Sequence, residues 1–85
     1  MDTLDSVALD KDNLVRDSVA SNINILPPTL AVLGKDGVTD IRFLVCSNPN
    51  TSLKTLVLLQ KDKSKKIRIW AERNYRSKLL KDIAL

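Results

Sequence analysis

Between Gln60 and Trp70 the chain reads Q-K-D-K-S-K-K-I-R-I-W, four lysines within six residues followed by an arginine and the only tryptophan. Cations beside a flat aromatic are the side chains that contact phosphates and stack a base. In the stretch Lys66 to Trp70 the residues alternate. Read as a strand, Ile67 and Ile69 turn to one face while Lys66, Arg68 and Trp70 share the other. Lys61, Lys63 and Lys65 in the preceding loop are placed to reach a phosphate backbone, and Arg73, Arg76 and Lys78 extend the patch. Lysine supplies a flexible point charge; Arg68 supplies a planar fork for stacking or bidentate binding. The same residues admit a plainer reading, in which the lysines solvate a turn and Trp70 packs under the C-terminal helix. Arg68 then covers the indole or pairs with Glu72.

Other chemistry has little support. The sequence has no histidine and one cysteine, so zinc and haem ligand sets, and with them any metal or cofactor, are not expected. Cys46 lies in the apolar run F43-L44-V45-C46, as a small buried residue would, with no visible base to activate it. D36-G37-V38-T39-D40 lacks the spaced oxygens and closing glutamate of a calcium loop, and G34-K35-D36-G37 lacks the order of a phosphate loop. No enzyme is predicted. The chain starts M-D-T-L-D without the basic, apolar pattern of a signal peptide, and its apolar runs are too short to span a membrane. A cytoplasmic protein without membrane attachment is the expectation.

The elements that position the patch follow from periodicity and turn residues. At 85 residues the chain is expected to form one domain, residues 1–85. Val15, Val19 and Ile23 recur every four residues, which predicts an amphipathic helix over Asp10–Asn22. Leu26-Pro27-Pro28-Thr29 reads as a helix stop on an extended path. Leu30–Leu33 then reads as a strand, Gly34–Gly37 as a turn whose glycines accept positive φ, and Val38–Cys46 as the return strand. Ser47-Asn48-Pro49-Asn50 is a second turn, followed by strands at Leu53–Gln60 and Lys65–Ala71. Asn74 is a candidate cap for a last helix from Tyr75, striped by Tyr75, Leu79 and Ile83; a start near Ala71 is the alternative. The predicted fold is α+β: a four-stranded antiparallel sheet built from two hairpins, flanked by an N-terminal and a C-terminal helix.

Charge is sorted along the chain. Residues 1–20 carry five aspartates against Lys11 and Arg16, whereas residues 54–85 carry ten basic residues against Asp62, Glu72 and Asp82. The segregation predicts an anionic partner for the C-terminal part. Two functions fit. One is a small non-enzymatic nucleic-acid-binding protein, preferring single strands or RNA, because no duplex-reading motif is present. The alternative is a protein-interaction module: a regulator, inhibitor or assembly factor with an acidic protein partner, or a homodimer formed through the apolar surplus at Leu56–Leu59. A nucleic-acid binder would expose Lys66, Arg68 and Trp70 together; an interaction module would expose an apolar groove or dimer face.

Overall fold

The computed structural model describes residues 8–84, with side chains from Ala8 to Lys81. Five helices account for it: α1 Asn13–Ala20, α2 Pro27–Leu33, α3 Thr39–Ser47, α4 Leu53–Leu59 and α5 Lys65–Ala84. No strand occurs among the described residues, so the expected four-stranded α+β sheet is replaced by an all-helical fold. Residues 1–7 lie outside the described part, and so does the side chain of Ile83 at the end of the predicted C-terminal stripe.

Each misread segment has a local reason. Leu26 is extended, as a residue before proline should be, but Pro27 and Pro28 then occupy the first turn of α2. The N–H groups of a first turn need no helical partner, so prolines there start a helix instead of stopping one. Within Thr39–Ser47, Ile41, Phe43 and Val45 alternate, yet Ile41 and Val45 are also one helical turn apart. The structure buries Ile41, Arg42, Val45 and Cys46 on one helical face and leaves Phe43 half-buried. In α4, Leu56 and Leu59 are buried while Val57 and Leu58 are exposed, which divides the apolar run Leu56–Leu59 between core and surface. Ser52 caps α4 by accepting from the Thr55 N–H at 3.2 Å, and Asp12 caps α1 by accepting from Leu14 at 2.9 Å. Gly34 keeps a right-handed φ of −64°, not a positive one. Its lack of a side chain matters for proximity, since a Cβ there would sit 3.3 Å from Thr55 Cγ2.

The hydrogen bonds reveal an internal repeat of 26 residues. Asp10, Asp36 and Asp62 are equivalent, as are Arg16, Arg42 and Arg68, and Asn22, Asn48 and Asn74. In every unit the arginine Nη1 donates to the carbonyl of its own unit's aspartate, at 2.7, 2.9 and 2.7 Å. In every unit that aspartate's carboxylate accepts from the N–H two residues on, at 2.8, 2.9 and 2.8 Å. Asn48 donates to Ala20 O and Asn22 O at 2.9 Å each, and Asn74 donates to Cys46 O at 2.7 Å. Buried positions follow the same interval: Val19, Val45 and Ala71; Ile41 and Ile67; Leu33 and Leu59. Each unit therefore lays its first helix on that of the unit before, so α1, α3 and α5 stack, with α2 and α4 packed alongside. The result is a slab of 38 × 28 × 16 Å. Helices of seven to nine residues are marginal alone, and stacking supplies their stability.

The third unit departs from the pattern. Chains leave the helix after Ala20 and Ser47, where Asn22-Ile23-Asn24 and Asn48-Pro49-Asn50 follow, but α5 runs straight through Asn74. Tyr75-Arg76-Ser77-Lys78-Leu79 contains no proline and is rich in helix formers. Asn74 is accordingly an interior residue that bonds α3, not the N-cap expected for a last helix.

Candidate functional site

A helix rotates about 100° per residue, which redistributes the basic patch. Lys66, Trp70 and Arg73 are four and three apart and share one face of α5. Arg68 lies about 200° round from Lys66 and points elsewhere. The expected trio of Lys66, Arg68 and Trp70 therefore does not form one face, and the strand-face mechanism goes with the strand.

The Lys66 face is already occupied by its own neighbours. Lys66 Nζ sits 4.3 Å from the centre of the Phe43 ring. Phe43 meets Trp70 edge-on, centroids 6.0 Å apart and planes at 87°. The Arg73 guanidinium carbon lies 5.1 Å from the Trp70 ring centre. Cation, ring, ring and cation form a line across α3 and α5, favourable because the cations meet the negative ring faces. Trp70 remains 37 % exposed, but Arg73 stands over its ring. It is Arg73, not Arg68, that covers the indole.

The other predicted residues scatter. Lys61 and Lys63 are exposed in the α4–α5 turn, and Lys65 is exposed at the start of α5. Arg76 pairs with Glu72 at 2.8 Å on the surface, the partner that had been assigned to Arg68. Lys78 is half-buried with Nζ 3.4 Å from Pro49 O.

Paired charge that is wholly or partly buried, by contrast, lies where the basic patch had not pointed. Arg16 Nε and Nη2 donate to the Asp36 carboxylate at 2.6 and 3.3 Å. One unit later, Arg42 Nε and Nη2 donate to Asp62 at 2.7 and 3.2 Å. Arg42 is 5 % exposed, buried on the face of α3 that also carries Ile41 and Val45. Burial pushes the Asp36 carboxyl up, but the Arg16 bond, the Val38 N–H and the Arg16 and Arg42 charges outweigh it and hold it below the usual aspartate value. Arg42's bond dominates at Asp62 and lowers it against the cost of burial, helped by the Ser64 N–H. Each arginine is raised in turn by its aspartate. These forks tie successive units together. Their sequence signal is the recurrence of Asp, then Val-Arg or Ile-Arg five and six residues later, at 10–16, 36–42 and 62–68.

Cys46 is buried, with Sγ 3.8 Å from Ile67 O. Desolvation pushes its thiol up to about 11, so at neutral pH it is protonated and a poor nucleophile. No group of acidic, histidine or cysteine side chains is arranged to hold a metal ion among the described residues. None of their helices is long and apolar enough to cross a membrane.

An apolar groove of about 790 Å³ runs across α2 and α4. Leu9, Pro27, Pro28, Ala31, Val32 and Leu58 line it, and Lys35 and Lys54 stand with them as exposed cations. Leu9, Val32 and Leu58 are exposed by 72, 40 and 55 %. No family model matches the chain, and no match is found among curated proteins or among solved structures.

Proposed function

We propose that the chain is a non-catalytic protein-interaction module whose α2–α4 groove receives a partner segment with apolar anchors and acidic flanks. The supporting observation is the groove: a contiguous apolar floor made of exposed Leu9, Val32 and Leu58 with the two prolines, beside Lys35 and Lys54. Large apolar side chains gathered in one concave surface mark binding sites. Stacked helical units are scaffolds that present such extended surfaces. Asp36 also lines the groove but is paired with Arg16, so the two exposed lysines favour acidic flanks by charge complementarity.

Selection from a random peptide library tests this, with a Val32→Glu/Leu58→Glu variant as counter-target. Enriched peptides should carry two or more large apolar residues near Asp or Glu, lose affinity for the wild type only modestly with salt, and fail on the folded variant. Peptides that bind both proteins equally would sink the reading.

Nucleic-acid binding is the second reading. Lys61, Lys63, Lys65 and Arg68 are exposed and have no acidic partner among the described residues. Fluorescence anisotropy with single-stranded and duplex oligonucleotides at two salt concentrations separates the two functions. Affinity that falls steeply with salt and is lost in Lys61→Ala/Lys63→Ala/Lys65→Ala would favour phosphate contact.

A further inference from the structure

We propose that Arg68 is a preformed carboxylate-binding fork that takes Asp10 of a second copy of this chain, joining copies head to tail. The inference goes beyond the groove reading: the Arg68 cleft shares no lining residue with the groove, and the two fail or succeed separately.

The first two units show what the fork is for. Their arginines use Nη1 to grip the carbonyl of their own unit's aspartate, which fixes the guanidinium plane. The remaining edge, Nε and Nη2, then receives the carboxylate that begins the next unit: Asp36 on Arg16 and Asp62 on Arg42. Arg68 keeps the first half of this arrangement, with Nη1 2.7 Å from Asp62 O. Its Nε and Nη2 edge meets no carboxylate among the described residues. Instead Arg68 borders a cleft of about 380 Å³ with Gln60, Ile69 and Glu72. A guanidinium already held in plane loses little further freedom when a carboxylate arrives, and the two-bond geometry is specific to planar anions.

Asp10 is the matching half. It holds the repeat position of Asp36 and Asp62, and its carboxylate is set by accepting from the Asp12 N–H at 2.8 Å, just as theirs are by Val38 and Ser64. It is exposed, and no guanidinium donates to its carboxylate among the described residues. Charge favours the encounter: residues 8–33 hold Asp10, Asp12 and Asp17 against Lys11 and Arg16, whereas residues 60–85 hold nine cations against three acids. Glu72 beside the cleft would oppose an incoming carboxylate, but Arg76 pairs with it at 2.8 Å and offsets its charge. Because donor and acceptor sit on different units of one chain, the contact is heterologous and each added copy leaves one of each free.

Sedimentation equilibrium from micromolar to millimolar concentration at low salt tests the proposal on the full chain. Wild type should rise above its 9.5 kDa monomer mass, past the dimer, as concentration increases. Arg68→Gln and Asp10→Asn should each weaken association by more than about tenfold. The asparagine keeps the oxygen that accepts from Asp12, so folding is preserved, and circular dichroism checks both variants. An equimolar mixture of the two contains one intact junction, from Arg68 of the Asp10→Asn copy to Asp10 of the Arg68→Gln copy. It should form a heterodimer and nothing larger. Wild type that stays monomeric at millimolar concentration overturns the proposal, as does a mixture that remains monomeric while wild type associates.

Discussion

The first two units and the third are built from one pattern and resolve their charge in opposite ways. In the first two, each arginine is clamped between its own aspartate's carbonyl and the next unit's carboxylate, and the helix ends before the asparagine. In the third, the clamp is half made, cations crowd an exposed helix, and the break is gone. The difference shows where this fold keeps charge for structure and where it presents charge to solvent. An arginine at the same repeat position ties two units together when the next unit's carboxylate meets it, and stays exposed where none does.

The largest expected effect separates the two kinds of arginine. Arg42→Ala strands the buried Asp62 carboxylate and should cost about 3–5 kcal/mol in chemical denaturation. Arg68→Ala removes one exposed side chain and should stay within about 0.5 kcal/mol. Similar losses at both positions would break the comparison. Tyr75→Pro, which copies Pro49 into the third unit, should cost about 3 kcal/mol and reduce far-ultraviolet helical signal, because α5 has no turn there to receive it. Asn48→Ala removes two bonds to the preceding turn and the acceptor for the Asn50 N–H, and should cost about 2 kcal/mol. Asn74→Ala should cost about half that, since its amide makes one strong bond to α3, to Cys46 O, and a long one to Cys46 Sγ.

The smallest effect is on acid stability. Asp36 and Asp62 titrate below their unfolded value, so the folded state binds fewer protons than the unfolded one in that range. Their contribution is present above the ordinary aspartate pKa of about 3.9 and is lost as pH falls through the lower folded values. Urea titrations from neutral pH downward should show a loss confined to that window. The Asp36→Asn/Asp62→Asn protein, less stable at neutral pH, should show a shallower one.

Much of the punctuation was legible in the residues. The chain turns near Leu26, at Gly34–Gly37, at Ser47–Asn50 and at Lys61–Ser64, where proline, glycine, asparagine and aspartate gather. The first helix lies within the span that the Val15–Val19 spacing predicts. What lies between the turns was not legible. Segments of seven to nine residues rich in valine, isoleucine and leucine satisfy both a two-residue and a helical period, and β-branched residues tilt the reading toward strand. The 26-residue recurrence of Asp, Arg and Asn stood in the sequence throughout, and it carried the information that periodicity within single segments lacked. The lysine cluster drew attention because it is dense; the buried forks did not, because each is split between residues 20 apart.

By itself the sequence determined the charge asymmetry, the absence of histidine, the positions of the turns and the repeat interval. Tertiary structure decided that the short apolar segments are helices, because only stacking of one unit on the next buries Ile41 with Val45 and Ile67 with Ala71. It also decided which arginines are structural. Whether a guanidinium meets a carboxylate depends on the unit that lands on it, and no local pattern around Arg16, Arg42 or Arg68 contains that neighbour.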